Sequence, residues 1–166
     1  MKQLFIFLSL FCLLQILGGC SSDIADVFND NNRNAIRPVD GLTELNADPD
    51  LYFLALDLFK AAGLDSDGVV LVNHPEMLAE VVVDDRTISW PEFDLLQFSL
   101  VVGRFYGLSS GYYLEDQVVI KEGKKIKLFA EIKRQAGVHH GMSRFFVALY
   151  PKLPDGEVEF VRWDNY

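Results

Sequence analysis

The stretch Gly107-Leu108-Ser109-Ser110-Gly111-Tyr112-Tyr113, GLSSGYY, decides which fold this chain of 166 residues can adopt. Gly107 to Gly111 match G-x-S-x-G, the nucleophile elbow in which a serine sits on a sharp turn between a strand and a helix. The same residues suit a glycine turn between two strands, where Gly107 and Gly111 permit positive φ and Ser109 and Ser110 satisfy nearby backbone groups. The flanks separate the two readings. Upstream, Leu100-Val101-Val102-Gly103-Arg104-Phe105-Tyr106 is a strand on either view. Downstream, Tyr112-Tyr113-Leu114-Glu115-Asp116-Gln117-Val118-Val119-Ile120 runs into β-branched residues and has no long helical stripe. A hydrolase of this type also needs a parallel sheet under several helices, and the chain has room for two. Strand, turn, strand is therefore the expectation.

Further strands lie on both sides. Ser99 to Tyr106 and Tyr112 to Lys121 flank the turn. Glu122-Gly123-Lys124 signals a hairpin, and Lys125 to Lys133 alternates, with Ile126, Leu128, Ala130 and Ile132 on one face and Lys127, Phe129, Glu131 and Lys133 on the other. Arg144 to Tyr150 follows. Pro151 to Pro154 stops it, Asp155-Gly156 turns the chain and Val158 to Trp163 returns. Five strands with short turns predict an antiparallel sheet or sandwich.

The N-terminal half adds helix. Asp48-Pro49-Asp50 reads as N-cap, N1 proline and an acid at the positive helix end. Leu51, Leu54, Ala55, Leu58 and Ala62 share one face, Phe53, Leu56 and Phe59 widen it, and Gly63 is a C′ stop. Gly68 to Asn73 is a short strand. His74-Pro75-Glu76 opens a second short helix to about Glu80. Val81-Val82-Val83 is strand-like, and Asp84-Asp85 turns the chain. The fold class expected is α+β, mainly antiparallel β-sheet or sandwich, with one or two helices in the N-terminal half and a single domain over 41–166.

The first twenty residues, MKQLFIFLSLFCLLQILGGC, put Lys2 before an apolar run from Leu4 to Leu17 and end it in small residues. That order describes a secretory signal. The run is about 14 residues, short of the roughly 20 that span a bilayer as a helix. Leu17-Gly18-Gly19-Cys20 resembles the bacterial lipobox. The resemblance implies removal of 1–19, a diacylglyceryl group on the Cys20 thiol and an acyl group, such as palmitate, on its amine. Several acyl chains anchor stably where one does not. Cys12 would leave with the signal, so the core must hold without disulfides. The polar, Asn/Asp-rich run over 20–40 cannot bury enough apolar area to offset chain entropy and is expected to be a flexible tether. Asp23 and Asp26 follow the lipid cysteine, as acids do in some surface-transported envelope lipoproteins. The expected location is the cell envelope at the outer membrane, on its periplasmic or surface face.

The formal net charge is −9, and loss of 1–19, which carries Lys2 and no acid, makes it one unit more negative. Nucleic acid is excluded as a partner, because phosphates need clustered Lys and Arg. Anionic headgroups would repel the surface too, so lipid must make the membrane contact. The one basic run, Lys121, Lys124, Lys125, Lys127, Lys133 and Arg134, suits the solvated face of an edge hairpin, and could also steer an acidic partner.

Catalytic sets are thin. Ser109, Asp116 and His139 or His140 follow in triad order, but a triad is defined by an Oγ-to-imidazole hydrogen bond rather than by order. Adjacent His139 and His140 lack the wider spacing and further ligands of a zinc site, so no metal is expected. Asp84-Asp85 has no D-x-D-x-D-G continuation and reads as a turn rather than a calcium site. No cofactor is expected and no enzyme activity.

Two resemblances complete the sequence reading. The succession VVLVNHPEML, WPEFDLLQFSLVVG, SSGYYLEDQVVI and FFVALYPKL, over roughly 68–166, resembles small Bacteroidetes-type lipoproteins of unassigned function and is similar to the PrcB-like domain of protease-associated lipoproteins. Ser109-Ser110-Gly111-Tyr112 is also similar to the T-T-G-Y part of the inhibitory loop of chagasin-type cysteine-protease inhibitors, with Gly107 and Leu108 in place of Asn and Pro. No G-x-G-G loop accompanies it, and Arg162-Trp163 only partly matches R-P-W/F. The expectation is a non-catalytic protein that binds or scaffolds another envelope protein through Ser109, Ser110, Gly111, Tyr112 and Tyr113. The alternatives are a protease inhibitor acting through that loop and a small serine hydrolase using Ser109.

Overall fold

The computed structural model describes residues 20–44, 48–123, 125–136 and 140–165. The signal segment 1–19 lies outside them. An N-terminal unit reaches to Arg33 and contains helix α1 (Cys20–Val27). Asn32 Nδ2 donates to the carbonyls of Asp26 and Val27 and so covers acceptors that a helix end leaves open.

From Asn34 onward the chain forms a second unit. Its strands are β1 (Ala35–Ile36), β2 (Asp40–Glu44), β3 (Gly68–Val72), β4 (Val81–Val83), β5 (Arg86–Ile88), β6 (Phe98–Gly107), β7 (Tyr112–Glu122), β8 (Lys125–Arg134), β9 (Met142–Pro151) and β10 (Val158–Asp164). One sheet runs β1-β7-β8-β10 and the other β2-β9-β6-β3, while β4 and β5 make a separate hairpin. Helix α2 (Pro49–Ala61) precedes β3. The α+β class and the dominance of antiparallel β-sheet match the sequence reading.

Local chemistry explains the helix. Asp48 Oδ1 accepts from the backbone N–H of Asp50 and of Leu51, and Pro49 begins the helix. At the other end Gly63 takes φ +70°, while its N–H donates to Lys60 O and that of Leu64 to Phe59 O. The second expected helix is a single 3-10 turn, Pro75–Met77. Asp84 and Asp85 have φ of 50° and 62°, so they form the two-residue turn of the β4–β5 hairpin.

Two apolar layers share the β2-β9-β6-β3 sheet. On one face Val101, Phe105, Phe146 and Ala148 meet Val119, Ile126, Leu128, Ala130 and Ile132 of the other sheet. On the opposite face Val70, Val102 and Phe145 meet Ala55, Leu58 and Phe59 of α2. Adjacent residues such as Val101 and Val102, or Phe145 and Phe146, therefore enter different layers. A sheet covered on both sides needs the continuous apolar run LVV rather than strict alternation. β8 has one core face and shows the alternation expected of it, with Ile126, Leu128, Ala130 and Ile132 all buried.

Three expectations are corrected. The folded unit starts before residue 41: Ala35 and Ile36 pair with Ile120 and Val119 of β7, Ile36 packs on the core and Arg37 Nη1 pairs with Asp116 Oδ2 at 2.8 Å. Two residues are too few for a periodicity, so their strand was invisible inside a polar run. That run, read as a tether throughout 20–40, also holds α1. Finally, β10 pairs with β8 in parallel, Val158 opposite Ile126 through Asp164 opposite Ile132. β9 has crossed to the other sheet in between, so the returning strand arrives in the direction of β8.

The inter-sheet core carries unpartnered polarity. Gln117 is 0% exposed, and among the described residues neither its amide nitrogen nor its oxygen has a hydrogen-bond partner. The Tyr150 hydroxyl is in the same position. An apolar group of similar shape removes that penalty, so Gln117→Met is expected to raise unfolding free energy by about 1–2 kcal/mol in a urea titration. Burial, reinforced by the Asp116 carboxylate and opposed by Arg37, pushes the Tyr150 phenol above its ordinary value. The folded state thus holds the neutral phenol. Its contribution is full below about pH 10, where unfolded tyrosine is also neutral, and is lost as pH rises further.

Candidate functional site

The Ser109 turn is a corner between the two sheets. β6 ends at Gly107 opposite Met142, and β7 starts at Tyr112 opposite Arg134 of the other sheet. A Cβ on Gly107 would lie 2.7 Å from Tyr112 Cβ, so only glycine allows so sharp a change of sheet. The Gln135 N–H donates to Gly111 O at 2.7 Å, and Arg144 Nη2 donates to Ser110 O. These bonds tie the corner to β8 and β9.

This packing corrects the candidate contact loop. Tyr112 is 4% exposed, with the Arg134 guanidinium 5.8 Å over its ring, and Ser109 is 2% exposed. Neither can meet a partner. Ser110, Gly111 and Tyr113 are half-buried, and the residue that projects is Leu108, 71% exposed. The inward turn of Tyr112 follows from the pleat: Tyr112 and Leu114 share the core face of β7. That i, i+2 pair was available in the sequence.

No hydrogen bond joins Ser109 to the other triad candidates among the described residues, where its Oγ has no hydrogen-bond partner. Asp116 is engaged with Arg37 and accepts from its neighbour Gln117 N at 2.8 Å. His140 is exposed, and His139 lies outside the described residues. Among the described residues no three His, Cys, Asp or Glu side chains are placed to hold a metal ion. Two lysines of the basic run are paired, Lys127 with Glu122 and Lys133 with Glu115, each at 2.9 Å, and Lys124 lies outside the described residues.

A second feature lies at the far end of β6. Here Asn73, which follows β3, is buried and acts as a junction. Its Oδ1 accepts from Ser99 Oγ at 2.5 Å, and its Nδ2 donates to Asp155 Oδ1 at 2.8 Å and Leu153 O at 3.2 Å. Ser99 Oγ in turn accepts from Leu153 N. Asp155 also meets His74 Nε2 at 3.2 Å. The Asn73 amide above all holds the Asp155 carboxyl below the usual carboxylate value; burial opposes it, and His74 and then Lys152 add to the lowering. Lys152 Nζ donates to Asn73 O at 2.9 Å and Leu95 O at 2.6 Å. The network pins the segment before β6 and the segment after β9 around a hollow of about 500 Å³ lined by His74, Pro75, Phe93, Leu96 and Lys152. Sequence reasoning missed it, because its partners lie up to 82 residues apart.

The chain matches no protein-family model, no curated protein and no solved structure. No helix among the described residues is long and apolar enough to cross a membrane.

Proposed function

We propose that this chain is a non-catalytic, lipid-anchored cell-envelope protein that binds another envelope protein. One observation carries the anchoring: Lys2, the apolar run Leu4 to Leu17, and Gly18-Gly19 directly before Cys20 stand in the order of a lipoprotein signal. The likeness to PrcB-like lipoprotein domains points the same way. The burial of Ser109, with Asp116 held by Arg37, supports a binding role over a serine hydrolase.

The test is metabolic labelling of the full chain with an alkyne palmitate. The wild type takes the label and fractionates with membrane, and Cys20→Ala loses both. Equal labelling of the two would overturn the anchor. Fluorophosphonate labelling that disappears in Ser109→Ala would replace the binding role with a hydrolase.

A further inference from the structure

We propose that the turn Asp94-Leu95-Leu96-Gln97, with the hollow beside it, is the docking surface for a protein partner that offers an apolar pocket rimmed by basic side chains. The inference rests on the binding role proposed above and moves its contact from the Ser109 corner to the opposite end of β6.

Leu96 is 91% exposed, the most exposed large apolar residue among those described. A lone exposed leucine on a loose loop needs no explanation. This one stands on a turn whose hydrogen bonds are nearly all made. Asp94 Oδ1 accepts from Leu96 N at 3.2 Å, and Asp94 Oδ2 from Gln97 Nε2 at 2.8 Å. The carbonyl of Asp94 accepts from the N–H groups of Gln97 and Phe98. The ammonium of Lys152 caps Leu95 O, and the Lys152 N–H donates to Gln97 O at 3.0 Å. Leu95 meanwhile is buried in the layer under α2. One leucine anchors the turn and the next is held out in water, so a partner that covers it orders almost nothing further.

Charge selects the occupant. Exposed Pro75 and half-buried Phe93 continue the apolar surface beside Leu96, and the exposed acids Glu76, Glu92 and Asp94 lie in or next to the lining segments, while Asp155 is paired with His74. The one lysine there, Lys152, is directed at two carbonyl oxygens. Such a rim repels an anionic leaflet, and a symmetric contact between two copies would bring the same acids together. A basic rim around an apolar pocket complements it.

The experiment places p-benzoylphenylalanine at position 96, and separately at position 108, in the full lipid-anchored chain, and irradiates intact envelopes. The expected result is an adduct with one protein species from position 96. The purified adduct partner should then bind Leu96→Ser at least tenfold more weakly than wild type, with unchanged circular dichroism. Glu76→Lys combined with Glu92→Lys should weaken binding and flatten its salt dependence. Adducts only with lipid, or only with a second copy of the chain, overturn the proposal, as does full affinity in Leu96→Ser. An adduct from position 108 and none from position 96 overturns this surface and leaves the binding role standing. No adduct from either position overturns both.

Discussion

Gly103→Ala is expected to cost the folded state about 3 kcal/mol, at the upper end of what overpacking a core does. Gly103 on β6 stands directly opposite Phe146 on β9, and the Phe146 ring folds over it in the space that a side chain would fill. A Cβ there falls within the ring. Phe146 cannot step aside cheaply, because it is fully buried with Phe105 at 6.4 Å and Phe160 at 6.5 Å between ring centroids. The measurement is the urea midpoint of the single variants Gly103→Ala and Phe146→Ala and of their combination. Removing the ring removes the clash, so the double variant should be less unstable than the sum of the two. Simple additivity would show that the loss at Gly103 has another origin.

Arg162→Met ranks second, with an expected loss of about 2–3 kcal/mol, the scale of hydrogen bonds to a charged group. From β10 in one sheet the guanidinium reaches the other. Its Nη1 lies 2.8 Å from Asp67 Oδ2 and donates to Tyr106 O at 2.7 Å, and its Nε donates to Asp164 Oδ1 at 2.8 Å. Its carbon sits 5.9 Å from the centre of the Phe105 ring. Methionine keeps the stem and removes the fork. The carboxylates of Asp67 and Asp164 then lose their cation, although Asp67 Oδ1 still accepts from Tyr106 N. Arg162→Lys should recover less than half of the loss, because a single ammonium cannot meet acceptors spread over a planar fork. Full recovery in lysine would mean that charge alone, and not geometry, joins the two sheets.

These two positions differ in how readable they were. Gly103 interrupts an apolar run, and a glycine inside a strand signals a close approach of something. What approaches is a residue 43 positions later, which no local pattern names. Arg162 stood out only as part of Arg162-Trp163, and nothing near it in the chain names Asp67 or Tyr106 as its partners.

More generally, whatever depends on neighbours along the chain was legible. The Asp48 cap, the Gly63 stop, the face of β8 and the turn at Asp84-Asp85 all stand where short-range chemistry put them. Sheet membership was not. The residues Ser109 to Gly111 look the same whether the following strand pairs back on β6 or departs to the opposite layer. The parallel direction of β10 depends on where β9 goes. The Asp94–Gln97 turn has no counterpart in the sequence reading, because the lysine that closes it is 57 residues away from Leu95.

The parallel union of β8 with β10 carries a consequence for the timing of folding. A strand that emerges early must leave one flank bare until a segment beginning at Val158 arrives, after an intervening excursion through the opposite layer. That loop must close before β10 can pair, so this pairing follows the local β7–β8 hairpin. During vectorial emergence from a ribosome or a pore, the hydrogen-bonding rim of Ile126 to Ile132 therefore stays open to any extended peptide nearby. The molecule is at its most adhesive in the interval before Asp164 is free.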